Sequence, residues 1–290
     1  MSPHDGTISH VSDTAHWVAY YRALESERPD ALFRDRFARE LAGSAGEAIA
    51  REMSTMRGAA GAWPIVVRTR LMDDVIERAA STGMADIVLN LAAGLDARPY
   101  RLKLPESLWW IEVDLPDTIA HKQAILAREK PACRLESVGL DLADGPARRD
   151  LFARVGAAGR RVLVVSEGLL IYLAPEDVAG LADDLHAAPG MRQWLTDLGS
   201  PALLKFMEKS WGGKLAESGA PFLFGPAEGT RFFEPHGFRE REFLSIWQNA
   251  LRLNRKPPMA WLWQLAGVFA SAKRKEEIKR FSGVALMERA

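Results

Sequence analysis

One cysteine, Cys133, stands among 290 residues. A lone thiol has no intramolecular partner, so no disulfide braces the fold, and a zinc site made of several cysteines is excluded. A reducing cytoplasm is the compartment that suits such cysteine usage. Charge of one sign is also missing: 38 Lys and Arg balance 38 Asp and Glu. Chains that grip nucleic acid through its phosphates are normally basic, so this balance speaks against that partner. No apolar run reaches the roughly 18 residues of a membrane span. The nearest candidate, residues 259–272, is shorter and contains Gln264. Residues 1–12 are polar and lack the apolar core of a secretory signal. The histidines His4, His10, His16, His121, His186 and His236 form no i,i+4 pair and no cluster with Cys133. A metal site is therefore not expected.

What is present is the usage of a globular protein, with 48% hydrophobic and 26% charged residues. No repeat or low-complexity tract interrupts it. Apolar residues recur at helical spacing over 13–28, 31–42 and 65–80, among them Trp17, Tyr20, Tyr21, Leu24, Phe33, Phe37 and Leu41. Beyond Gly83 the texture changes to short apolar runs at 87–91, 109–113 and 162–165, the kind that form strands buried on both faces. Helical stretches at 116–129, 147–155 and 175–187 separate them. Such alternation predicts a parallel sheet with helices on both sides. Periodicity dissolves over 200–237, where Gly and Pro mix with Trp211, Phe222, Phe224, Phe232 and Phe233; a long aromatic loop of this kind predicts a lid. A strand at 239–244, a helix to about Arg280 and a strand at 284–288 close the chain.

Chemistry concentrates after the first strand. Gly94 stands at its strand-to-helix turn, where backbone can approach a ligand closely. Asp114 follows at the end of the second strand, the position of an acid that accepts from a ribose diol. Asp96 sits inside the turn, where a carboxylate repels a pyrophosphate, and so speaks against NAD. Asp96, Asp114 and Glu167 instead suit S-adenosylmethionine, which carries a sulfonium and an ammonium and has no phosphate.

The stretches 68–74 (RTRLMDD), 90–102 (NLAAGLDARPYRL), 112–116 (EVDLP), 139–142 (GLDL) and 166–173 (SEGLLIYL) resemble, in order, the leucine carboxyl methyltransferase-like family of class I S-adenosylmethionine-dependent methyltransferases. The resemblance implies a Rossmann-like sheet with an N-terminal helical cap and a lid insertion. It also implies residue roles. Arg68 would hold the carboxylate of the cofactor's methionine part, and Gly94 would offer it backbone contact. Asp114 would hold the ribose, Asp141 and Leu142 would meet the adenine, and Glu167 would face the amino end. One departure is Ala92-Ala93, where relatives more often carry glycine; another is the segment 200–237, which matches nothing in the family pattern. Plainer uses remain open: Arg68 as a surface helix arginine, Asp114 as a helix cap, Asp141 as a turn former, Tyr172 as core.

These readings divide one methyltransferase domain into a helical cap (1–85), a cofactor core (86–199), a substrate lid (200–237) and C-terminal strands and helix (238–290). The function expected is O-methylation of a small molecule, with a carboxylate first among acceptors because it is ionised at neutral pH and needs no base. A phenol or alcohol acceptor would benefit from one, and His16 and His236, in the two capping regions, are the candidates. Tyr172 is the candidate for acceptor contact. A non-catalytic cofactor-binding protein is the alternative outside enzymology.

Overall fold

A computed structural model describes residues 13–54, 62–217, 221–257, 260–261 and 270–290. Its centre is a seven-stranded sheet in the order β3-β2-β1-β4-β5-β7-β6. The strands are β1 (Ile87–Leu91), β2 (Trp109–Asp114), β3 (Arg134–Gly139), β4 (Val162–Ser166), β5 (Met191–Gly199), β6 (Phe238–Ser245) and β7 (Ser282–Arg289). The first five run parallel, and β7 joins β5 and β6 antiparallel. The strand order turns outward on either side of β1 and β4, which places the switch point, and so the ligand crevice, beyond their carboxyl ends.

β1 and β4 read Ile-Val-Leu-Asn-Leu and Val-Leu-Val-Val-Ser and are buried along their whole length. Helices cover both faces, so each face has its own apolar core. One core packs Leu89, Val113, Phe152, Val164, Leu181 and Trp194. The other packs Leu71, Met72, Ile76, Val88, Trp110 and Leu163. Cys133 lies in the second, where burial pushes its thiol up to about 11.

The helices are α1 (Asp13–Ser26), α2 (Ala38–Ser54), α3 (Trp63–Ser81), α4 (Arg98–Arg101), α5 (Pro116–Leu126), α6 (Gly145–Gly156), α7 (Pro175–Ala187), α8 (Pro201–Glu217), α9 (Ile246–Arg252) and α10 (Ala272–Lys279). The structure departs from the sequence reading in five places. The helix expected over 31–42 starts later, at Ala38, because the Asp35 carboxylate accepts the Phe37 N–H and holds the preceding residues out of the helix. β3 and β5 escape the apolar-run criterion. β3 is an edge strand with half-exposed residues, and β5 carries Gln193, Thr196 and Asp197 among its apolar side chains. Thr196 and Trp194 are satisfied by the Ser166 hydroxyl of β4, each at 2.9 Å.

The stretch 200–237 is not a single irregular loop. Ser200 caps α8 by accepting the Leu203 N–H at 3.2 Å, and Pro201 opens the helix. A 3-10 helix follows over Gly229–His236. Residues 218–220 of that stretch lie outside the described residues, as do 1–12 and most of 259–272. The helix expected to run to Arg280 is broken after Arg252, where Asn254 takes a φ of +52°. Among the described residues no helix is long and apolar enough to cross a membrane.

Candidate active site

The turn after β1 runs through Ala92, Ala93 and Gly94. Ala92 and Gly94 both lie in the left-handed region, at φ +50° and +49°. Glycine does so freely, whereas alanine there costs about 1–2 kcal/mol. At Ala92 the departure from the glycine-rich pattern thus shows as local strain. At Gly94 a side chain would have little room, since an added Cβ would come within 3.2 Å of the Ala15 Cβ on α1.

Side chains from several elements hold this turn. The Gly94 N–H donates to Asp114 Oδ2 at 2.6 Å, and the Leu115 N–H donates to Asp114 Oδ1 at 2.7 Å. Arg22 of α1 donates to the Leu95 carbonyl, and Lys122 of α5 to the Asp96 carbonyl. Asp96 itself turns inward. Its Oδ2 accepts from Asn90 Nδ2 and Arg98 Nη1, and its Oδ1 accepts the Arg98 N–H. The expectation that Asp96 repels a pyrophosphate therefore needs correction: its charge is spent on Arg98 and it serves to close the turn. Burial would raise its carboxyl, but Arg98, with Arg101, Arg22 and Lys122 behind it, holds it far below the usual carboxylate range.

Glu167, just after β4, is held by two guanidiniums. Arg68 Nε donates to its Oε1 at 2.9 Å, and Arg98 Nη2 lies 2.8 Å from its Oε2. Burial pushes the carboxyl up, yet Arg98 and Arg68 outweigh this and hold it at about 2. Arg68 also donates from Nη1 to Asp197 Oδ2 at 2.8 Å, and Asp197 Oδ1 accepts the Gly168 N–H.

These pairs belong to one chain of alternating charge. It runs from Asp197 through Arg68, Glu167 and Arg98 to Asp96 and Asp73, then through Arg101 and Asp35 to Arg22. Four guanidiniums face five carboxylates, which leaves one negative charge in excess. Sequence reasoning finds Arg68, Asp96 and Glu167 and misses Asp73, Arg98, Arg101 and Asp197. Asp73, Arg98 and Arg101 stand inside the stretches 68–74 and 90–102, where other charged residues surround them and spacing does not single them out.

The turn, Asp114 and Glu167 face a cavity of about 2530 Å³ at the carboxyl ends of the strands, several times a typical ligand pocket. Arg68, Gly94, Asp96, Asp114, Asp141, Leu142, Glu167 and Tyr172 all line it. Asp141 is exposed and its Oδ1 accepts the Ala143 N–H, so it forms the turn as well as the wall. Leu142 is half-buried and its carbonyl accepts from Arg148. Tyr172 ends a 3-10 turn against the Phe222 ring, at 5.8 Å between centroids. Burial raises its phenol above the usual value, so it stays protonated at neutral pH and acts as a donor.

The two histidines need correction. His16 lies 3.1 Å from the Ala42 carbonyl through Nδ1 and packs beside His121, and His236 pairs with Asp183 at 2.7 Å against the Phe232 ring. Neither is in the cavity wall. Both sit on elements that border the cavity, and only the rotation of the element decides which way a ring points.

The donor set fits S-adenosylmethionine. Asp114 keeps unused lone pairs for ribose hydroxyls, Arg68 offers a cation for a carboxylate, and the excess negative charge suits a ligand bearing a sulfonium and an ammonium. Among the described residues no group of His, Cys, Asp and Glu could hold a metal ion.

Comparison with known proteins identifies the family. Residues 15–186 match the family model described as leucine carboxyl methyltransferase. A protein of Parafrankia sp., assigned as an S-adenosyl-L-methionine-dependent methyltransferase, is 34% identical over 93% of this chain and 89% of its own. One from Streptomyces coelicolor with the same assignment is 38% identical over 68% of this chain and 72% of its own. In fold the chain is similar to a DUF574 family protein of Streptomyces avermitilis, with a TM-score of 0.60 at 16% identity, covering 96% of this chain and 97% of that one. A Thermobifida fusca protein assigned as a methyltransferase gives a TM-score of 0.58 at 13% identity, covering 99% and 96%.

Proposed function

The chain belongs to the leucine carboxyl methyltransferase family and is an S-adenosylmethionine-dependent methyltransferase, and we propose that it methylates oxygen, with a carboxylate of a small molecule as the acceptor. The observation that carries this reading is the chemistry of the cavity wall. Among the described residues it holds no imidazole, and Glu167 and Asp197 are committed to Arg68. A carboxylate acceptor needs no proton removed at neutral pH, whereas a phenol does.

S-adenosylmethionine, when bound, supplies an electrophilic methyl group on a sulfonium. The remaining work is alignment, and proximity alone can lower such a barrier by several kcal/mol. In this reading Asp114 accepts from the ribose, and Asp141 and Leu142 flank the adenine. The Arg68 nitrogen not engaged by Glu167 or Asp197 takes the methionine carboxylate. Tyr172, a protonated donor on the wall, holds one acceptor oxygen while the other faces the methyl group.

Turnover of a panel of small carboxylates and phenols, measured against pH, tests the proposal. Carboxylate turnover that is flat from about pH 6 to 8 is the expected result. Turnover of phenols alone, with a limb rising near pH 6.5, would overturn it.

A further inference from the structure

Arg98 joins three carboxylates beside the cavity and is 2% exposed. Its Nε donates to Asp73 Oδ1 at 2.7 Å, its Nη1 to Asp96 Oδ2 at 2.8 Å, and its Nη2 lies 2.8 Å from Glu167 Oε2. Its own N–H donates to Asp96 Oδ1 at 2.8 Å. The three carboxylates come from three places: Asp73 from the middle of α3, Asp96 from the turn after β1, and Glu167 from the end of β4. One planar guanidinium with five donors is the side chain that can satisfy three such groups at fixed angles.

We propose that Arg98 is a positioning residue for cofactor binding: it fixes Glu167 and the turn after β1 against each other, so that two walls of the cavity are set before a ligand arrives. The proposal rests on the reading that the cofactor lies between those walls. Arg98 has no place in that reading as a ligand contact; it acts through Glu167 and Asp96.

The consequence for Glu167 can be measured. This carboxylate faces Arg68 from α3, Arg98 from α4 and Asp96 from the turn. Asp73 and Asp197 share the two guanidiniums, and Tyr172 lies within electrostatic reach of Arg68 and Asp197. Burial raises the Glu167 carboxyl and the two arginines together keep it ionised. With Arg98 gone, burial is opposed by Arg68 alone, and Glu167 takes up a proton on mild acidification. A residue that merely stabilised the fold would leave the pH dependence of ligand binding unchanged.

The experiment is calorimetric titration with S-adenosylhomocysteine at pH 8 and pH 5, with folding followed by circular dichroism. The wild type is expected to bind equally at both. Arg98→Met is expected to bind at least tenfold more weakly at pH 8 and more weakly again at pH 5. Glu167→Gln and the double variant Arg98→Met/Glu167→Gln are expected to bind weakly but equally at both pH values. Arg98→Lys keeps the charge and loses the fork, and is expected to bind at least fivefold more weakly while folded.

A folded Arg98→Met with wild-type affinity at both pH values overturns the proposal. So does a pH dependence that persists in the double variant. If Arg98→Met does not fold, Arg98→Lys decides, and wild-type affinity or failure to fold in that variant overturns the positioning role. Asp114→Ala separates the two readings. If it and Glu167→Gln both bind as the wild type does, the placement of the cofactor is wrong; if Asp114→Ala binds weakly and the Arg98 variants do not, the role of Arg98 alone fails.

Discussion

Asp114 Oδ2 accepts the Gly94 N–H at 2.6 Å, so the acid at the end of β2 and the turn after β1 are joined directly, before any ligand is considered. The second oxygen does the same for Leu115 at the start of α5. Asp114 thus ties together the turn after β1 and the start of α5, while each oxygen keeps a lone pair for the ribose contact proposed above.

Asp114→Ala is expected to weaken S-adenosylhomocysteine binding by about 1.5–3 kcal/mol, the usual range for hydrogen bonds to a charged acceptor. That is roughly tenfold to 150-fold by calorimetry. A folded variant with an unchanged dissociation constant would refute the ribose role.

Tyr172→Phe is expected to lower kcat about tenfold, a loss of about 1.4 kcal/mol, with cofactor affinity unchanged. The hydroxyl is the only atom removed, and in the proposed function it acts on the acceptor. Steady-state kinetics with a free carboxylate that the enzyme accepts as substrate, set beside a binding isotherm for S-adenosylhomocysteine, separates the two effects. Equal losses in both would move Tyr172 to the cofactor.

Acid should loosen the fold in a defined window. Glu167 lies at about 2 in the folded chain against an ordinary value of 4.5. A depressed folded value contributes stability above the unfolded value, and that contribution is lost as pH falls from about 4.5 to 2. Thermal melting from pH 6 down to pH 2 is expected to show a falling Tm across this interval, with a shallower fall in Glu167→Gln. Identical slopes in the two proteins would show that the Arg98–Glu167–Arg68 cluster carries no net stabilisation.

Ala92→Gly is expected to raise stability by about 0.5–1 kcal/mol. Relief of the left-handed alanine exceeds the added freedom of glycine in the unfolded chain. The same change at Ala93, which lacks a positive φ, should give no gain. Chemical denaturation of both variants checks the contrast.

Arg255, in the segment after α9, donates to both oxygens of Glu25 on α1, and Glu25 is 3% exposed. Removing Arg255 leaves the buried Glu25 with only the Leu32 N–H and a 3.7 Å contact to half-exposed Arg28, a loss toward the lower end of the about 3–5 kcal/mol for breaking a buried pair. Arg255→Met should therefore lower the denaturation midpoint far more than Arg28→Met, whose side chain is half-exposed beside the same glutamate. Comparable small effects would show that water reaches Glu25.

The parts legible in the sequence are those in which one residue decides one thing. Apolar runs mark β1, β2 and β4; glycine marks the turn; an acid at a strand end, Asp114, marks one wall of the cavity. β5 was hidden because its polar residues Thr196 and Asp197 face partners on β4 and α3 that are remote in sequence. α8 was hidden by the glycines and prolines around it, although Ser200-Pro201 is a recognisable helix start. The histidines misled because proximity in the chain to a capping region says nothing about the rotation of a helix. Arg98 and Asp73 escaped because a residue that acts through another leaves no trace in spacing.

The chain of charges from Asp197 to Arg22 has a bearing on redesign as well as on binding. Arg98 is shared by three partners, and Arg68, Glu167, Asp73, Arg101 and Asp35 by two each, so replacing one of them unbalances its remaining pairs and the damage spreads along the series. Effects of single replacements along it will not add, and double-mutant cycles between members joined through a common partner, such as Asp73 and Glu167 through Arg98, should show coupling. A replacement at one of these positions is expected to need a compensating exchange at its partner, which ties α1, α3, α4 and the ends of β4 and β5 together in any redesign of the chain.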